Sequence, residues 1–131
     1  MSSRVVIKLG GGLITDKGSM KKFDPDSVER VADSISSIVG MGVPVVIVHG
    51  AGSFGHLLAK EWSISKGVDQ KIAKEQRMIV EEIRSDMREL NGLVIDRLSD
   101  SGLESEGLPP SEWAIGTGSG FKGDITNFER V

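Results

Sequence analysis

Two short apolar runs, Val5-Val6-Ile7-Lys8-Leu9 and Val43-Pro44-Val45-Val46-Ile47-Val48, are each followed by a cluster of glycines. Runs of this length with little alternation predict strands of a parallel sheet buried on both faces. Between them Val28, Val31, Ala32, Ile35, Ile38 and Val39 recur at helical spacing. Asp24-Pro25 supplies an N-cap and a first-turn proline ahead of that stripe, and Gly40 and Gly42 stop it. Residues 13–23, rich in Asp, Lys, Gly and Ser, predict a loop. Strand, helix and strand fit within about 45 residues, which is the spacing of a βαβ unit with a right-handed crossover.

Downstream, Phe54 to Trp62 predicts a short helix opening on Ser53. Residues 70–101 predict a long charged helix with Ile72, Ile79, Ile83, Met87, Leu90, Val94 and Leu98 on one stripe, ended by Ser101-Gly102. Beyond it, Pro109-Pro110 and the glycines 116, 118, 120 and 123 predict loops and short strands, with a hairpin around Gly123-Asp124. No tandem repeat, low-complexity tract or interdomain linker interrupts the pattern.

Composition narrows the classes. The chain has 131 residues, 38% hydrophobic and 27% charged, enough to bury a core in one soluble globular domain. A net charge of −3, with no basic run longer than Lys21-Lys22, gives no footing for nucleic acid or an anionic membrane. The chain has no cysteine, which excludes disulfides, thiolate metal sites and a cysteine nucleophile and is consistent with a reducing cytoplasm. No stretch approaches the roughly 20 apolar residues of a membrane span, and the start of the chain lacks the apolar core of a signal peptide.

The candidate chemistry lies where the strands end. Lys8-Leu9-Gly10-Gly11-Gly12 closes the first, and His49-Gly50-Ala51-Gly52-Ser53-Phe54-Gly55-His56 follows the second. Ligands of open α/β sheets bind beyond the carboxyl ends of the strands, and glycine loops there offer backbone N–H groups to phosphate oxygens. Ser53 is placed to cap the following helix. No Walker A lysine follows either cluster, and the Gly-x-Gly-x-x-Gly at Gly50, Gly52 and Gly55 follows the second strand, not the first. The residues alone therefore describe a phosphate-binding α/β protein.

Lys8 has two readings: a cation aimed at a transferring phosphoryl group, or a side chain snorkelling from a strand end. His56 is either a partly exposed helix residue or a phosphate donor, and His49 packs at the end of its strand against neighbouring backbone. Two histidines without nearby carboxylates do not make a zinc site, so no metal-ligand set is assigned. Trp62 and Trp113 are core or rim residues, or walls of an apolar pocket. The glycines from 116 to 123 form a surface loop or a third ligand loop.

Val-Ile-Lys-Leu-Gly-Gly-Gly-Leu-Ile-Thr-Asp-Lys at 6–17 and Val-His-Gly-Ala-Gly-Ser-Phe-Gly-His at 48–56 resemble the isopentenyl phosphate kinase family of the amino acid kinase superfamily. The first motif is shared across the superfamily, whereas the second is narrower, and the likeness continues through Leu90-Asn91, Leu98, Gly102 and Pro110-Ser111. The resemblance implies a three-layer αβα sandwich with a mainly parallel sheet. It implies transfer of the ATP γ-phosphoryl group to isopentenyl phosphate with Mg2+, giving isopentenyl diphosphate for isoprenoid biosynthesis.

The same resemblance implies roles for particular residues. Lys8 and Lys17 would sit at the phosphates, with Gly10, Gly11, Gly12 and Gly52 cradling the nucleotide's. Ala51, Gly52 and Gly55 would line the acceptor site, and His56 would bond the acceptor phosphate. Gly12 departs from the family's usual serine, which removes one hydroxyl donor. Family members are much longer than 131 residues. Residues 1–131 would thus be the N-terminal, acceptor-binding part of such a domain, without the C-terminal nucleotide-binding part, inactive alone and forming a homodimer or associating with the missing half. The alternatives are another small-molecule kinase of the superfamily, or a non-catalytic or split half-domain.

Overall fold

The computed structural model describes residues 3–116 and 121–123. Strand β1 (Val5–Leu9) lies parallel to β2 (Val45–His49), with Val5 opposite Val45 and Leu9 opposite His49. The second strand starts later than its apolar run because Pro44 has no N–H for the ladder. Its carbonyl still accepts from Val5 N–H at 3.0 Å.

Helix α2 (Pro25–Gly40) makes the crossover, and α4 (Ala73–Asp100) packs beside it. Val28, Ala32 and Ile35 of α2 meet Leu90, Val94 and Leu98 of α4 in one core with Leu9, Ile14 and Phe54. Ile7, Val45 and Ile47 close that core from the sheet. Arg97 of α4 also pairs with Glu29 of α2 at 2.6 Å. The expected α/β architecture with a parallel sheet is present. Among the described residues, however, the opposite sheet face is open: Val6 is 65% and Val48 48% exposed. The apolar runs are therefore two-sided, as predicted, but only one side is covered.

Capping follows the residue chemistry at both long helices. Helix α4 runs for 28 residues, about 42 Å at 1.5 Å per residue, and ends in a Schellman motif. Gly102, at φ +83°, donates to the Ser99 carbonyl, and Leu103 N–H reaches back to the Leu98 carbonyl at 2.9 Å. At the start of α2 the Asp24 carboxylate accepts from Ser27 N–H at 3.1 Å and from the Ser27 hydroxyl at 2.8 Å.

Those bonds, the hydroxyl one first, hold the Asp24 carboxyl below its usual range. A depressed folded pKa contributes stability that is fully present above the unfolded value and lost as pH falls through the folded one. Asp24→Ala should lower the unfolding midpoint at neutral pH, and the gap to the wild type should close in acid. A gap of the same size at every pH would show that the charge is not what caps the helix.

Two local expectations change. One helical turn, α1 (Gly11–Ile14), replaces the beginning of the predicted loop. The C-terminal hairpin exists, but β3 (Ala114–Gly116) pairs antiparallel with β4 (Phe121–Gly123), so Gly123 ends a strand instead of turning one. Asp124 and the glycines at 118 and 120 lie outside the described residues, so the reading of that cluster as a third ligand loop lies there too. No helix among the described residues is long and apolar enough to cross a membrane.

Candidate functional site

Parallel pairing brings the ends of β1 and β2 side by side, and with them the two glycine loops. Gly10 leaves β1 in extended conformation, and Gly11 and Gly12 open α1, so their N–H groups have no helical acceptor. After β2 the chain forms a 3-10 turn, Gly52–Phe54, and then helix α3 (His56–Glu61).

The loops touch backbone to backbone. A Cβ on Gly11 would collide with the amide nitrogen of Gly52 and stand 2.7 Å from its Cα. A Cβ on Gly50 would sit 3.1 Å from Gly11 N. Gly52 adopts φ +50°, and a Cβ there would strike Thr15 Oγ1.

A buried polar latch locks this contact. The Thr15 hydroxyl donates to the Gly11 carbonyl at 2.7 Å and accepts from Ser53 N–H at 3.0 Å. Ser53 Oγ in turn accepts from Lys22 N–H at 3.2 Å, and the Ser53 carbonyl accepts from Lys21 N–H at 3.1 Å. Thr15 and Ser53 are 3% and 2% exposed, so their polar atoms must find partners inside the protein. Ser53 therefore does not cap the helix after it; α3 has Gly55 at its N-cap and no side-chain cap. The sequence offered a sign of Thr15, a lone hydroxyl directly after the buried Ile14, but its partner lies 38 residues away.

Lys17 folds back over the first loop. Its Nζ lies 2.9 Å from where a Cβ on Gly12 would be, and its Cε occupies nearly that place. Gly12 thus does more than omit a hydroxyl, because it clears the space that the lysine fills. Lys8 is exposed on the open face of β1, opposite Val48. His56 is exposed at the first residue of α3.

Ala51 and Gly55 face each other closely, a Cβ on Gly55 being 2.8 Å from that of Ala51. The same Cβ would rest 3.5 Å from Ile83 and 3.8 Å from Met87 of α4. His49 has Nδ1 3.1 Å from the Gly50 carbonyl oxygen and Nε2 3.1 Å from Asn91 Oδ1, which ties the end of β2 to α4. The backbone half of that arrangement was foreseen, and Asn91 was not.

Beside the second loop runs an apolar groove of about 730 Å³, walled by Val45, Ile47, Ile83, Met87, Leu108 and Trp113. Trp113 is accordingly a pocket wall, whereas the Trp62 carbonyl accepts from Gln76 at 3.1 Å away from the groove. Among the described residues no group of three or more His, Asp or Glu side chains is placed to hold a metal.

A family model described as the amino acid kinase family matches residues 3–130. The chain is 29% identical over 117 residues to the isopentenyl phosphate kinase of Methanocaldococcus jannaschii, covering 84% of this chain and 44% of that protein. It is 33% identical over 109 residues to that of Methanothermobacter thermautotrophicus, covering 82% and 40%. A solved isopentenyl phosphate kinase structure superposes with a TM-score of 0.86 at 29% identity, over 98% of this chain and 53% of the other. The chain thus spans less than half the length of these curated relatives.

Proposed function

The chain belongs to the amino acid kinase family, and on that premise we propose that it is the acceptor-binding, N-terminal part of an ATP-dependent kinase that phosphorylates isopentenyl phosphate. One observation carries this reading. The glycine loops meet at Gly11 and Gly52, with a lysine folded over the first and His56 at the exit of the second. Such a surface presents backbone donors and cations together, which is what a pair of reacting phosphates requires.

In the proposed reaction an oxygen of the acceptor phosphate forms a bond to the γ-phosphorus of ATP. The bond from that phosphorus to the β-γ bridging oxygen breaks, and ADP leaves. A phosphate monoester loses its second proton at a pKa of about 6, so the attacking oxygen is already ionised at neutral pH and no general base is needed. The protein's task is to hold two anions in line and spread their charge.

We assign Lys8 and Lys17 to the transferring group, and the amides of Gly10, Gly11, Gly12 and Gly52 to the nucleotide phosphates. Ala51, Gly52, Gly55 and His56 are assigned to the acceptor. Mg2+ would neutralise the nucleotide's phosphates. The described residues gather no carboxylate cluster to hold it, and no step is assigned to it.

The groove supports a prenyl acceptor over a small polar one. Its walls Ile83 and Met87 lie against Gly55, one residue before His56, so an acceptor whose phosphate meets His56 has an apolar channel for its tail. The nucleotide-binding part is assigned to polypeptide outside these residues, and Val6 and Val48 are apolar positions of the kind a further layer covers. ATP as donor fits a cytoplasmic setting.

His56→Ala tests the acceptor assignment. The side chain is exposed, so the fold should be unchanged, while affinity for isopentenyl phosphate should fall about tenfold to a hundredfold, as for a lost bond to a charged group. Affinity equal to that of the wild type would remove His56 from the acceptor site. A panel of acceptors with shorter or polar tails separates it from other phosphates.

A further inference from the structure

Lys21 does not face the glycine loops, yet three observations converge on it. Its φ is +51°, a conformation that costs a non-glycine residue energy and persists where surrounding contacts impose it. Its N–H, with that of Lys22, is spent on Ser53 of the second glycine loop. Its Nζ bridges two carboxylates of α4, 3.0 Å from Asp86 Oδ1 and 2.7 Å from Glu89 Oε2. Asp86 is 7% exposed within a helix whose other buried side chains are mostly apolar. A carboxylate so covered needs its counter-ion, whereas an exposed pair alone would contribute little.

The segment held this way is the one that carries Lys17. Thr15 and Phe23 bridge its base, and Asp16 N–H donates to the Lys22 carbonyl at 2.9 Å. Asp16 Oδ1 accepts from Gly18 N–H at 3.0 Å, which turns the chain at Lys17. The base is thus closed by its own hydrogen bonds, and Lys21 is the point where the segment is anchored to α4. Next to Asp86 on that helix, Met87 and Ile83 border Gly55. One helix therefore touches both the lysine-bearing segment and the acceptor loop.

We propose that Lys21 is a positioning residue, whose clamp on Asp86 and Glu89 holds the 16–23 segment so that the Lys17 ammonium stays over Gly12. The proposal rests on the kinase reading above. It explains how the space vacated at Gly12 is kept filled by a lysine on a polar surface segment.

A double-mutant cycle in the intact protein tests it, with kcat and KM for isopentenyl phosphate and the unfolding midpoint read for each variant. Lys21→Met should lower kcat about tenfold to a hundredfold, the scale of a misplaced group, with KM changed much less. Lys17→Met should cost at least as much. The double variant should be no slower than Lys17→Met alone, because a residue acting through Lys17 has nothing left to position. Lys21→Arg should restore most of kcat.

Losses that multiply in the double variant would overturn the proposal, as the clamp would then act independently of Lys17. A Lys17→Met enzyme as fast as the wild type would instead remove the role of Lys17 at the phosphates, and the proposal would fall with it while the kinase reading stood. If Lys21→Met does not fold, Asp86→Asn, which keeps the side-chain shape and releases the charge, enters the same cycle with the same two outcomes.

Discussion

Replacing Lys8 with methionine should leave the fold and its unfolding midpoint essentially where they are, while turnover of the intact enzyme falls about a hundredfold to a thousandfold. That range is the loss seen when one preorganised donor to a developing anion is removed. The two halves of the expectation come from separate features of the structure. Lys8 is exposed on the open face of β1, and among the described residues no ion pair holds it, so its removal leaves neither a cavity nor a stranded charge. It also stands two residues before Gly10, at the strand end where the first glycine loop begins. Methionine keeps the length of the side chain and its β-strand packing while deleting the charge. The measurements are single-turnover phosphoryl transfer and thermal unfolding on the same samples. If both fall together, Lys8 is a structural residue. If neither moves, the cation at the transferring group must be sought elsewhere, with Lys17 as the first candidate.

The elements legible in the sequence were those whose signal is local and repeated. The stripe on α4 and the Asp24-Pro25 start of α2 are chemical instructions written within a few positions: α2 starts where those two residues place it, and α4 begins three residues later than the pattern predicts and ends one residue earlier. The glycine clusters announced the two loops beyond the strand ends because a strand followed by glycines is a local pattern too. The contact between those loops could not be read, since it joins Gly11 to Gly52 through a pairing of strands distant in sequence. Ser53 shows the difference most clearly. Judged by its neighbours it is a helix cap, but its hydroxyl serves a backbone amide 31 residues earlier. Lys21 and Asp86 read as ordinary surface charges on a loop and a helix, and only folding sets them 3.0 Å apart.

The loop contact itself leads to the largest expected change in stability. Gly11→Ala should destabilise the fold by about 3 kcal/mol, the upper end of what overpacking costs, because the new methyl meets backbone, which cannot rotate aside as a side chain can. It would press on the nitrogen and Cα of Gly52, itself held at φ +50° by the Thr15–Ser53 latch. Relief would require the two loops to separate, so phosphate affinity should fall along with stability. Gly92→Ala is the control. Gly92 lies inside α4 with nothing within 4 Å of its missing Cβ, so alanine there should stabilise by about 1 kcal/mol through helix propensity alone. Gly12→Ala lies between the two. Its methyl would first meet the flexible end of Lys17, which can swing away, so stability should hold while phosphate binding weakens. Denaturant unfolding of the three variants would rank them. Were Gly11→Ala as stable as Gly92→Ala, the loops would not be in backbone contact, and the geometry on which the proposed phosphate site rests would be wrong.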